Sequence, residues 1–190
     1  MKFEILITDR LKLRLLTPEV EQYVFENYSE NDLKIFFGCN TEAEFAKEKV
    51  RYERGSTTWN KSFLNFLLID KATELVIGRC GFHTWYLEHR RAEIGYNLTN
   101  GDFKDKGLMT EAIKKVIEYG FEKINLNRIE AFIGKDNVPS LKLIKRMNFI
   151  EEGLLRQHFF KNNVIEDSLV FGLLREDYYK KLTPQIKLIQ

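Results

Sequence analysis

Between Arg91 and Gly134 the hydrophobic period of the chain changes twice. In "RAEIGYNL" the residues Ile94, Tyr96 and Leu98 alternate with Glu93, Gly95 and Asn97, as they do in a strand. From Met109 onward the apolar residues fall instead at Met109, Ala112, Ile113, Val116, Ile117 and Phe121. That is the spacing of a helix burying one face, with Lys114, Lys115, Glu118 and Glu122 on the other. "RIEAFIG", Arg128 to Gly134, returns to strand chemistry. Two strands joined through a helix form a crossover, so they are expected to lie parallel. The joint between the first strand and the helix is "KDKGLMTEA", Lys104 to Ala112, a charged loop with a single glycine. Free backbone NH groups at such a helix start make an anion site.

The remaining elements arrange themselves around this crossover. "RLKLRLL", Arg10 to Leu16, alternates as a first strand, and helical material follows Thr17 and Pro18 to about Arg54. "SFLNFLLID" and "LVIGRCGFHTW" read as strands joined by a turn at Lys71 to Glu74, with the strand of Glu93 completing an antiparallel meander. After Gly134, "KDNVPSLKLIKRMNF" predicts a short helix capped by Asn137, with Pro139 in its first turn and Asn148 accepting a left-handed stop. "GLLRQHFF" and "VIEDSLVFGLL" flank Lys161 to Asn163 and predict a closing hairpin, its turn made by two asparagines. The reading is one α/β domain over residues 1–190, with a mixed sheet that is not doubly wound.

Composition removes several function classes. Thirty Lys and Arg against 28 Asp and Glu leave a net charge of +2, dispersed along the chain, so nothing points to a nucleic-acid binder or a polybasic membrane module. No stretch approaches the apolar length of a membrane span, and acidic residues flank the short apolar run at the N-terminus, so a cytoplasmic location is expected. Cys39 and Cys80 lack metal-like spacing and are expected to be reduced, Cys80 in the core. His83, His89 and His158 likewise show no ligand spacing, so no metal is expected.

Taken in order, "TDRLKLRLL", "VIGRCGF", "AEIGYNL", "KGLMTEAIKKVIEYGF", "RIEAFIGKDNVPSLKLIKRMNF" and "EEGLLRQHFFKNNVIEDSLVFGLL" resemble the GNAT superfamily of acyl-CoA-dependent N-acyltransferases, and within it the RimJ/RimL-type ribosomal-protein N-terminal acetyltransferases. The resemblance covers nearly the whole chain. It implies a mixed, mostly antiparallel sheet with helices on both faces and splayed central strands. It also implies acetyl-CoA as cosubstrate and an amine acceptor, in a monomer or homodimer. The family's phosphate loop carries Gln or Arg, two residues, Gly, one residue, then Gly or Ala. Here Asp102 stands at the first position, Asp105 at the first glycine and Gly107 at the last. The backbone function survives, with NH groups of Lys106, Gly107, Leu108, Met109 and Thr110 expected to face the pyrophosphate and Lys106 to add charge. The bland alternative is a plain helix cap by Asp105 or Thr110.

Acyl transfer from a thioester to an amine needs a neutral amine, a stabilised oxyanion and a tolerable thiolate. The resemblance implies that pantetheine pairs with backbone at Tyr96, Asn97 and Leu98. A bulge near Ile94 and Gly95 is expected to aim an NH at the carbonyl. Glu93 is the leading general base, with a salt bridge to Arg90 or Arg91 as its structural alternative, and Glu130 is the second candidate. Asn137 resembles a coenzyme-contacting asparagine, and Ser140 a position that helps protonate the departing sulfur. Relatives that use a tyrosine acid carry it four residues later, where this chain has Ile144. Three readings remain: transfer to a protein N-terminus, transfer to a small amine such as a polyamine or antibiotic, and a non-catalytic acyl-CoA-binding module. Glu93, Glu130, Glu166 and Asp167 could line an acidic pocket suited to a polyamine.

Overall fold

The computed structural model describes residues 1–99, 101–161 and 163–182. Two strands, β1 (Ile5–Ile7) and β2 (Leu11–Leu16), lead into three helices, α1 (Pro18–Asn27), α2 (Glu30–Phe37) and α3 (Glu42–Arg54). The meander β3 (Lys61–Asp70), β4 (Val76–Tyr86) and β5 (Arg91–Leu98) follows, and α4 (Leu108–Glu122) crosses to β6 (Arg128–Gly134). Then come α5 (Val138–Arg146), the hairpin β7 (Ile150–Lys161) and β8 (Val164–Leu174), and α6 (Arg175–Leu182). Neither β1 nor α6 is in the sequence reading; for β1, three residues are too few to establish alternation. The hairpin turn includes Asn163, which takes the left-handed φ of 60°. The other expected turn residue, Asn162, lies outside the described residues.

The eight strands run in the order β1-β2-β3-β4-β5-β6-β8-β7. Every neighbouring pair is antiparallel except β5 and β6, the pair joined through α4. Side-chain alternation sends successive β3 residues to opposite faces. Leu64, Phe66 and Leu68 join a core that includes α4 residues Ala112, Ile113, Val116 and Phe121, while Phe63 and Leu67 join a second core under α1, α2 and α3. Helices therefore cover both faces, as expected. Four of the helix starts are capped by side chains, from Thr17, Ser29, Thr41 and Asn137. Among the described residues, no helix is long and apolar enough to cross a membrane.

The parallel pair is short, and this creates the site. β5 and β6 are in register only at Arg91 with Arg128, Ala92 with Ile129 and Glu93 with Glu130. Beyond that point β5 stays with β4 as far as Leu98 opposite Gly78, and β6 stays with β8 as far as Gly134 opposite Ser168. Each strand follows its other neighbour, so the two separate. The expected bulge is present but on the facing strand. Phe82 pairs with Ile94 and Thr84 with Glu93, leaving His83 as the extra residue of β4. The bulge accounts for Gly95 too, because a Cβ there would come within 2.5 Å of His83 Nδ1.

Candidate active site

Two cavities occupy the opening between the separated strands. The larger, about 1180 Å³, lies between β5, the C-terminal half of β6 and the β7–β8 hairpin, and Glu93 and His83 border it. The smaller, about 610 Å³, lies between the end of β5, the glycine loop and α5. Its walls include Asn97, Leu98, Gly107, Leu108, Met109 and Thr110, all expected to meet the cosubstrate. Tyr96, Asn137 and Ser140 border both cavities, so these three residues mark where the two meet.

The loop that opens the smaller cavity is built to leave backbone NH groups free. Asp105 and Gly107 both take left-handed conformations, with φ of 58° and 76°. Gly107 is the N-cap of α4, and no side chain caps that helix, which excludes the plain capping by Asp105 or Thr110. The loop is anchored from behind. Glu111, in the first turn of α4, accepts from the Thr8 hydroxyl at 2.5 Å, the Arg10 NH at 2.7 Å and Arg10 Nε at 2.8 Å. Burial alone would raise the Glu111 pKa, but these bonds outweigh it and lower it, keeping the carboxylate charged and turned to its partners. Arg10 also donates to the Lys106 carbonyl at 2.8 Å. Lys106 itself does not border the cavity; the cations that do are Lys104, Lys142 and Arg146. Lys142 and Arg146 lie four residues apart on α5, hence on one face, and Arg146 Nη1 reaches Thr110 Oγ1 at 3.3 Å.

Asp105 is the discordant charge in this wall. Asparagine tolerates the left-handed backbone equally and removes the repulsion of a phosphate, so Asp105→Asn is expected to tighten coenzyme A binding by about three- to tenfold at low salt. Titration calorimetry checks this, and unchanged affinity would place the carboxylate away from the anion.

On the acceptor side, Glu93 Oε1 lies 3.1 Å from His83 Nε2, and neither Arg90 nor Arg91 pairs with it. The β4 bulge supplies that partner, so only the folded register reveals His83. Arg91 turns instead to Glu130, which is buried and held also by Arg128 Nε at 3.1 Å. Arg128 continues to Glu152 at 2.5 Å. Glu130 is not among the residues bordering either cavity, because its two oxygens are engaged by these guanidiniums. Asn137 Oδ1 accepts from the Ser140 NH at 3.3 Å as the cap of α5. Ile144 is fully buried in the core. The Tyr96 hydroxyl is buried beside Ser140. Burial pushes this phenol's pKa up, and nearby Ser140 offsets the rise in part. Asp167, expected in an acidic pocket, is engaged by Lys135 at 2.8 Å and the Gln157 NH at 2.8 Å, while Glu166 also borders the larger cavity.

The uncapped NH groups at the loop are the feature that an acyl-coenzyme A would satisfy. Comparison with known proteins agrees. The family model for an acetyltransferase (GNAT) domain matches residues 10–150. The chain is 34% identical over 177 residues to the uncharacterized N-acetyltransferase p20 of Bacillus licheniformis, spanning 92% of this chain and 98% of that protein. It is 26% identical to YdaF of Bacillus subtilis (strain 168), provisionally named a ribosomal N-acetyltransferase, over 90% of this chain and 95% of that one. A crystal structure of mutant forms of the spermidine/spermine N-acetyltransferase SpeG from Vibrio cholerae shares the fold, with a TM-score of 0.67 at 22% identity over 93% of this chain and 100% of that chain. The family match over most of the chain, on a sheet that splays where that chemistry needs room, makes this protein a GNAT acetyltransferase.

Proposed function

We propose that the protein transfers the acetyl group of acetyl-CoA to the α-amine of a protein N-terminus, acting in the cytoplasm. The supporting observation is the junction of the two cavities, with a phosphate-suited loop on one side and Glu93 on the other. The NH groups at Gly107 to Thr110 would hold the pyrophosphate, helped by Lys104, Lys142 and Arg146. The β5 edge from Tyr96 to Leu98, which β6 leaves unpaired, would hold the pantetheine arm. Acetyl-CoA supplies an activated acyl group. Glu93, held by His83, takes the proton of the incoming amine, directly or through a water. Asn137 and Ser140 flank the reacting centre.

The chemistry of the amine favours an N-terminus. A peptide α-amine has a pKa of about 7.7 to 8.0 against about 10.4 for lysine, so roughly a tenth of the former is already neutral at pH 7. A single carboxylate suffices for such a substrate, and Glu130 adds no second base at the cleft. Polyamines form the competing class, supported by Glu93 and Glu166 in the larger cavity and by the fold shared with SpeG. Against them, Asp167 is already paired and Lys135 and Lys161 border the same cavity.

A competition among peptides with free or blocked N-termini, each carrying an internal lysine, and polyamines decides the acceptor, with the modified atom located by mass spectrometry. The expected product is acetylated at the α-nitrogen. Acetylation confined to lysine side chains or to polyamines would overturn the acceptor assignment and leave the acyltransferase intact.

A further inference from the structure

The turn between β1 and β2 lies directly behind the glycine loop, and it is itself fixed. Lys71 Nζ donates to the Thr8 carbonyl at 2.6 Å and the Asp9 carbonyl at 3.2 Å, and the Lys71 NH to the Arg10 carbonyl at 3.0 Å. From this base the Arg10 guanidinium divides its donors, Nε to Glu111 at 2.8 Å and Nη1 to the Lys106 carbonyl at 2.8 Å. Arg10 borders neither cavity, so it acts on the loop and not on a ligand. The carbonyl of Lys106 and the NH of Gly107 belong to one trans peptide group, whose planarity makes them point in opposite directions. With the carbonyl turned back to Arg10, the Gly107 NH is turned away from it, toward the smaller cavity that Gly107 borders.

Lys106 lies between two left-handed residues, Asp105 at φ 58° and Gly107 at φ 76°. Glycine accepts φ of either sign, so this peptide can turn over unless a group outside the loop holds it. Turned over, it would present a carbonyl oxygen to the phosphate in place of an NH. We propose that Arg10 is a positioning residue for coenzyme A, holding the Lys106–Gly107 peptide in the orientation that offers its NH to the pyrophosphate. This rests on the reading of the loop as the pyrophosphate site. Glu111 makes the arginine and the helix start one unit. Its carboxylate accepts from the Thr8 hydroxyl, the Arg10 NH and Arg10 Nε, while its own NH donates to the Gly107 carbonyl at 3.1 Å. The segment "TDRLKLRLL" thereby reaches the site from 96 residues away without touching the ligand.

The test compares the wild type with Arg10→Met and Arg10→Lys. Methionine keeps an unbranched stem and loses every donor, while lysine keeps the charge but lacks the fork that serves Glu111 and the Lys106 carbonyl together. Calorimetry should show coenzyme A binding about three- to tenfold more weakly to Arg10→Met, with Arg10→Lys between the two. In protein labelled with ¹⁵N-glycine, the Gly107 amide line is assigned by its absence in Gly107→Ala. It should be single in the wild type, broadened or doubled in unliganded Arg10→Met, and single again with coenzyme A, which selects the orientation the arginine otherwise fixes. Equal affinity in the wild type and Arg10→Met overturns the proposal. Full affinity in Arg10→Lys assigns the effect to charge alone and overturns it too. So does weaker binding with a Gly107 line as sharp as the wild type's, or with broadening spread over the other glycines, which would make the arginine a support of the general fold. A wild-type protein that does not bind coenzyme A defeats the reading of the loop as well.

Discussion

Glu93→Gln is expected to lower turnover by about 10²- to 10⁴-fold, the range for removing a positioned general base. Coenzyme A affinity should change by less than about twofold, because the carboxylate borders the larger cavity and not the smaller one. Glutamine keeps the side-chain length and can still meet His83 Nε2, so the geometry of the β4 bulge is retained and only basicity is lost. Steady-state kinetics alongside calorimetry separates the two effects. A variant that keeps its rate at neutral pH would make Glu93 a structural partner of His83. The proton would then need another acceptor in the same cavity, with His83 the nearest titratable neighbour.

Much of this arrangement is legible in the sequence because it depends on local periodicity and capping. The α4 stripe fixes a crossover, the crossover fixes a parallel pair, and a glycine at the helix start fixes where the NH groups converge. Asn137 and Asn148 declare the limits of α5, and the structure gives Asn148 a left-handed φ of 66°. What is not legible is set by register between distant segments. The bulge falls on β4 and not on β5, so Gly95 signals the neighbour that needs its space, and His83 enters the site with no motif to announce it. Parallel register brings Glu93 level with Glu130, yet Arg91 and Arg128 claim the second carboxylate, which no count along the chain reveals. Lys106 does not border the smaller cavity, whereas Lys104, Lys142 and Arg146 do, two of them from α5, which no count along the loop reveals. Asp105, where the family loop has glycine, itself adopts the left-handed conformation.

The central claim is that acetyl-CoA enters along the α4 loop and reaches Glu93 through the junction at Tyr96, Asn137 and Ser140. Gly107 is the residue on which this depends. At φ 76° it occupies a conformation that costs an ordinary L-residue about 1–2 kcal/mol and a β-branched one more. The nearest atom to an added Cβ, Arg10 Nη2, is 3.6 Å away, so Gly107→Val acts through the backbone angle and not through crowding. Rotating that backbone swings the first NH groups of α4 away from the phosphates. Calorimetric titration of coenzyme A into the wild-type protein and into Gly107→Val, with circular dichroism to verify the fold, is the most direct measurement. The account predicts binding to the wild type and a loss of affinity of about tenfold or more in the variant, the equivalent of about 1.4 kcal/mol. No detectable heat from the wild type at millimolar coenzyme A, or equal affinity in the two proteins, would contradict it.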